Sequence, residues 1–91
     1  MCYSENITIP CELTGRMVHG LVYFVQEQTS GVYFAVGDRT VNAKSIIGVL
    51  SLGLGQNSEV TVSVINDDDK VGEYEMLKIR QYVRGLGDIN E

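Results

Sequence analysis

The sequence predicts an α+β fold: an open-faced β-sandwich in the order β-α-β-β-α-β-α, its four antiparallel strands covered on one face by helices. Three observations predict it. Apolar residues alternate with period two in several short runs, apolar stripes recur at helical spacing in two longer segments, and glycines or capping residues separate the runs. Strands that are apolar on one side need a cover, and the two longer helices can supply it. A chain of 91 residues suits one domain, read over residues 1–91.

The first strand is read from Ile7, Ile9, Cys11 and Leu13 on one phase, with Thr8, Pro10 and Glu12 on the other. Pro10 cannot donate to a ladder, so this strand belongs at a sheet edge. Thr14-Gly15 breaks the alternation. From Arg16, the residues Met17, Val18, Leu21, Val22 and Val25 form a helical stripe, closed by Gln26-Glu27-Gln28. Val32, Phe34 and Val36 alternate again. Gly37-Asp38 then suits a type II′ hairpin into Arg39 through Ala43. Ser45 is a good N-cap for a short helix through Leu52, ended by Gly53 and Gly55. Val60, Val62 and Val64 mark the most regular strand. The last helix is capped by Asn66 or Asp67, with Asp68 and Asp69 in its first turn and Lys78, Arg80 and Arg84 toward its end. That charge order complements the helix dipole. Its buried stripe is Met76, Ile79, Val83 and Leu86.

Composition narrows the function. Twelve acids against seven bases give a net charge of -5, which opposes direct binding to nucleic acid. Membrane-surface binding and insertion are disfavoured as well, because no basic cluster and no membrane-length apolar run exist. Without a secretory leader the expected location is the cytoplasm. Cys2 and Cys11 fit no metal or redox spacing, and Cys11 lies on the apolar phase as a small buried hydrophobe. One histidine with scattered carboxylates supplies no metal-ligand set, and no residue pattern calls for a cofactor. Gly53-Leu54-Gly55 lacks the lysine and spacing of a nucleotide loop.

Residues 41–55, VNAKSIIGVLSLGLG, closely resemble the histidine-containing phosphocarrier (HPr) family of the bacterial sugar phosphotransferase system. That family has a regulatory serine followed by a short apolar helix at this place. The element order and the Gly85-Leu86-Gly87 ending agree with it. The family carries phosphate: enzyme I loads a histidine, and the phosphohistidine serves sugar transporters. The family's active loop reads roughly TG-φ-H-A-R-P-A, and here Thr14-Gly15 is followed by Arg16-Met17-Val18-His19-Gly20-Leu21. Anchored on both flanks, this places Met17 at the histidine position, His19 at the arginine position and Gly20 where the family has proline. The link from the first helix to the second strand is a few residues shorter than the family's.

Methionine has no basic nitrogen and cannot form a phosphoramidate, so Met17 at that position ends the family's carrier chemistry. The competing reading makes His19 the phosphoryl acceptor, with the helix starting near Gly20. The resemblance implies that Ser45 is phosphorylated by an ATP-dependent HPr kinase, which is compatible with its capping role. It further implies that Val49 and Leu52 face the sheet, while Ile46, Ile47 and Leu50 meet a partner such as a catabolite control regulator. Arg16 could add an anion contact near the active loop. The expected function is a regulatory, non-enzymatic HPr-like protein; the alternative is an active carrier serving enzyme I and sugar-transport components through His19.

Overall fold

The computed structural model describes residues 1–88. Residues 89–91 of the stretch read as one domain lie outside the described residues. The elements are β1 (Cys2–Thr8), α1 (Gly15–Gln26), β2 (Gly31–Val36), β3 (Arg39–Asn42), α2 (Ile46–Ser51), β4 (Glu59–Ile65) and α3 (Asp69–Leu86), in the predicted order. The strands form one antiparallel sheet ordered β1-β4-β2-β3.

β1 begins earlier than the alternation suggests. Its first half, Cys2-Tyr3-Ser4-Glu5, is polar or amphipathic on both phases and gives no period-two signal, yet it pairs in register with β4 from Cys2↔Ile65 to Thr8↔Glu59. The predicted continuation to Leu13 is not strand. Ile9 and Cys11 are buried on the expected phase, but Pro10 lacks an N–H and the ladder stops before it. Ile9 keeps isolated backbone bonds, donating to Ser58 O at 2.8 Å and accepting from Asn57 N–H at 2.9 Å. The edge position read from Pro10 holds, since β4 is the neighbour of β1 among the described residues.

α1 is a helix despite its aromatic and β-branched residues, because its stripe of Val18, Leu21, Val22 and Val25 is fully used against the sheet. Gly37, at φ +58°, opens the two-residue hairpin between Val36 and Arg39. α3 starts one residue beyond the expected caps: the cap is Asp68, whose carboxylate accepts from the N–H groups of Lys70 and Val71. Asn66 does related work one step earlier, accepting from the Asp68 N–H at 2.8 Å. Gly85 lies inside α3, and the helix is closed by Gly87.

The core lies between the sheet and α1 and α3. Val32, Phe34, Val60, Val62 and Val64 meet Leu21, Val22, Val25, Met76, Ile79 and Val83. Each such side chain contributes about 1.5–3 kcal/mol on full burial. α1 and α3 approach each other where Phe24 stacks on Tyr82, with centroids 4.5 Å apart at 17°. Gly20 makes room there: a Cβ at this position would sit 2.9 Å from the Tyr82 hydroxyl. The other face of the sheet is polar, with Ser4 bonded to Ser63 at 2.9 Å and Thr61 donating to Asn6 at 2.7 Å.

One buried group has no counterpart in the sequence reading. Glu75, on α3, is 6% exposed. Its carboxylate accepts from the backbone N–H and hydroxyl of Thr29 at 3.0 and 3.1 Å, from the Ser30 N–H at 2.9 Å, and from the Ser30 hydroxyl. The Asn66 amide donates in turn to Ser30 Oγ at 3.0 Å. These bonds fasten the short α1–β2 connection to α3.

Candidate functional site

Ser45 has extended backbone (φ -104°, ψ 118°), and its Oγ accepts from the Gly48 N–H at 3.1 Å. This is the geometry of an N-cap, and it leaves the serine exposed at the start of α2. α2 is six residues long and too short to be stable by itself. Its attachment to the body is therefore what fixes the serine.

Three attachments are visible. Val49, 1% exposed, enters the core, and Ile46, Leu52 and Val41 pack against it as partly buried neighbours. Arg39 on β3 donates to the Ser51 carbonyl at 2.9 Å and to Ser51 Oγ at 3.0 Å, holding the C-terminal end of α2. Lys44 holds the other end. Its N–H donates to Asn42 Oδ1, its ammonium to the Gln28 carbonyl, and its own carbonyl accepts from the Gln26 amide, at 2.8–2.9 Å. Arg39, Lys44, Gln26 and Ser51 were not singled out from sequence. Apart from the local Lys44–Asn42 bond, their contacts join positions 12 to 18 apart, and no local spacing rule reports such pairs.

The outward side of α2 is apolar. Ile47 is 81% exposed and Leu50 48% exposed, one turn apart beside Ser45. Ile46, expected to share that surface, is half-buried against the core, so the exposed pair is Ile47 and Leu50.

At α1 the cap is Thr14, whose Oγ1 accepts from the Met17 N–H at 3.2 Å. Helical bonding starts with Val18 N–H to the Thr14 carbonyl at 3.0 Å. Met17 is thus the third helical residue and half-buried, Arg16 beside it is exposed, and His19 is exposed further into the helix. A helix start near Gly20, which the His19 reading called for, is not what the structure has: α1 begins at Gly15. Ser45, Ile47 and Leu50 come together on α2. Lys44 touches α1 through Gln26, nine residues and about 14 Å along the helix from Met17.

The open-faced βαββαβα sandwich, with a serine-capped amphipathic helix beside one edge strand, is an HPr-like fold. Residues 4–79 match the family model described as the PTS HPr component phosphorylation site, and the chain belongs to the HPr family. The HPr-like protein Crh of Bacillus subtilis is 37% identical over 60 residues, covering 63% of this chain and 71% of that protein. The HPr-like protein Crh of Halalkalibacterium halodurans is 35% identical over 60 residues with the same coverage. Among solved structures, the phosphocarrier protein HPr of Bacillus anthracis superposes with a TM-score of 0.79 at 23% identity, covering 89% of this chain and 95% of that one. HPr-C-His of Thermoanaerobacter tengcongensis gives 0.74 at 26% identity, covering 91% and 96%. Proteins of this family act with other proteins of the phosphotransferase system.

Proposed function

We propose that this chain is a regulatory member of the HPr family, switched by phosphorylation of Ser45 and docking on a catabolite control regulator through Ile47 and Leu50. The observation that carries the reading is the exposed, capping Ser45 next to an exposed apolar pair on a helix tethered at both ends. An ATP-dependent HPr kinase would transfer the γ-phosphoryl group to Ser45 Oγ; ADP leaves and the hydroxyl proton passes to a base of the kinase. The product adds about 1.5–2 negative charges at a helix N-terminus, where the dipole favours them. Its oxygens can accept the Gly48 N–H that Ser45 Oγ accepts now, so α2 stays formed. The switch then acts on the surface: Ile47 and Leu50 supply apolar contact, and the phosphate supplies a bidentate target for a partner's arginine. Cytoplasmic residence, with the kinase and its ATP, belongs to the same proposal.

In this reading Met17 stands at the position of the family's phosphoryl-accepting histidine, and a thioether cannot take that role. A second reading is kept because His19 is exposed on α1: an active carrier that accepts phosphate from enzyme I on His19 and passes it to sugar-transport components, with Arg16 beside the phosphate.

Incubation with HPr kinase and ATP tests the first reading. Wild type should gain one acid-stable phosphate and Ser45→Ala none. Equal labelling of the two would defeat it.

A further inference from the structure

A groove of about 490 Å³ runs between β1 and α3, lined by Tyr3, Glu5, Glu73, Tyr74, Leu77 and Arg80 among others. A smaller hollow continues it past Glu5 and Arg80 to Arg84. β1 and β3 are the two edges of the sheet. α2 contacts β3 while α3 contacts β1, so the groove lies on the opposite edge from Ser45. Its floor is apolar: Tyr74 is 60% exposed and Leu77, one turn on, 36% exposed. The face of Tyr74 already attracts a cation, with the Lys78 ammonium 5.1 Å from its centroid. The main-chain edge of β1 that points away from β4 is unpaired among the described residues.

Charge along the groove is polarised. At one end Glu73 and Lys70 line the groove, Asp69 lies 3.9 Å from the N-terminal ammonium, and partial burial together with Asp69 and Glu73 pushes the Tyr3 phenol above its ordinary value. At the other end stand Arg80 and Arg84. Arg80 is held by both oxygens of Glu5 at 2.6 Å, whereas Arg84 has no ion-pair partner among the described residues. The geometry points to this groove as the docking site for an extended, bipolar segment of a protein partner. A lysine or arginine of that segment lies at the Asp69–Glu73 end, an apolar side chain lies on Tyr74 and Leu77, and a carboxylate lies at the Arg84 end. Strand addition to the free edge of β1 supplies main-chain bonds, and the charge order selects the segment. Both edges of the molecule can then be occupied at once.

The probe is the hexapeptide Lys-Lys-Leu-Val-Glu-Glu, titrated into the isotope-labelled full chain with amide shifts recorded. Shifts are expected at β1, Glu73, Tyr74 and Leu77. Affinity should fall about three- to fivefold in Glu73→Lys and recover when the peptide's lysines are replaced by glutamates. Glu73 is exposed, so the variant keeps the fold. Three results would overturn the proposal: no shifts along the groove at millimolar peptide, affinity indifferent to Glu73→Lys, or sedimentation showing that a second copy of the chain covers this edge. Phosphorylation of Ser45 is independent of each of them.

Discussion

A carboxylate withdrawn from water is stable as an ion only when donors replace its lost hydration, and Glu75 meets four of them, from Thr29 and Ser30. Burial alone pushes this carboxyl up; the bonds from Ser30 and Thr29 together outweigh it and hold Glu75 below the ordinary carboxylate value of 4.5. A lowered folded value means that the unfolded chain takes up the proton first. The stabilisation is therefore complete above pH 4.5 and is lost as pH falls through the folded value. Denaturant midpoints measured from neutral to acid pH should show that decline, and Glu75→Gln should flatten it. At neutral pH the same variant should cost about 2–4 kcal/mol, because an amide nitrogen then faces donors; a loss below 0.5 kcal/mol would contradict the role assigned to the carboxylate. Nothing local announces this residue, since a glutamate in an exposed-looking helix reads as a solvated group and its donors lie 45 and 46 positions away. Ser45, by contrast, was legible, because a cap is a local device: Ser45→Ala should cost about 1 kcal/mol of stability while removing the kinase target.

At the scale of elements, α2 separates packing from recognition within six residues. Val49 to Ala should lower stability by about 1–2 kcal/mol through lost burial. Ile47→Asp and Leu50→Asp should each stay within about 0.5 kcal/mol and abolish binding of the serine-phosphorylated chain to a catabolite control regulator, measured by calorimetry. Unchanged binding in both variants would remove α2 from the interface. The helices, the hairpin and β4 were legible because period, caps and positive-φ glycine positions are short-range signals. The start of β1 was not, since its strand state is dictated by pairing with β4 across more than fifty residues of chain. The caps of α3 show the remaining ambiguity: three consecutive aspartates follow an asparagine, all able to cap, and it is the path from β4 that selects Asp68.

For the whole molecule, the sheet order places α2 and the β1–α3 groove on opposite edges, with α1 across the middle. Element order could be read from the chain, but strand order depends on long-range pairing, so this two-edged arrangement emerges only in three dimensions. α1 begins at Gly15 with Met17 in its first turn, and the proposed loss of carrier chemistry rests on that register together with the family's loop pattern. Intact mass after incubation with enzyme I and phosphoenolpyruvate tests the regulatory reading most directly. The mass should stay unchanged, in wild type and in His19→Ala alike. An acid-labile gain of one phosphate in wild type, absent from His19→Ala, would contradict it and establish His19 as the acceptor.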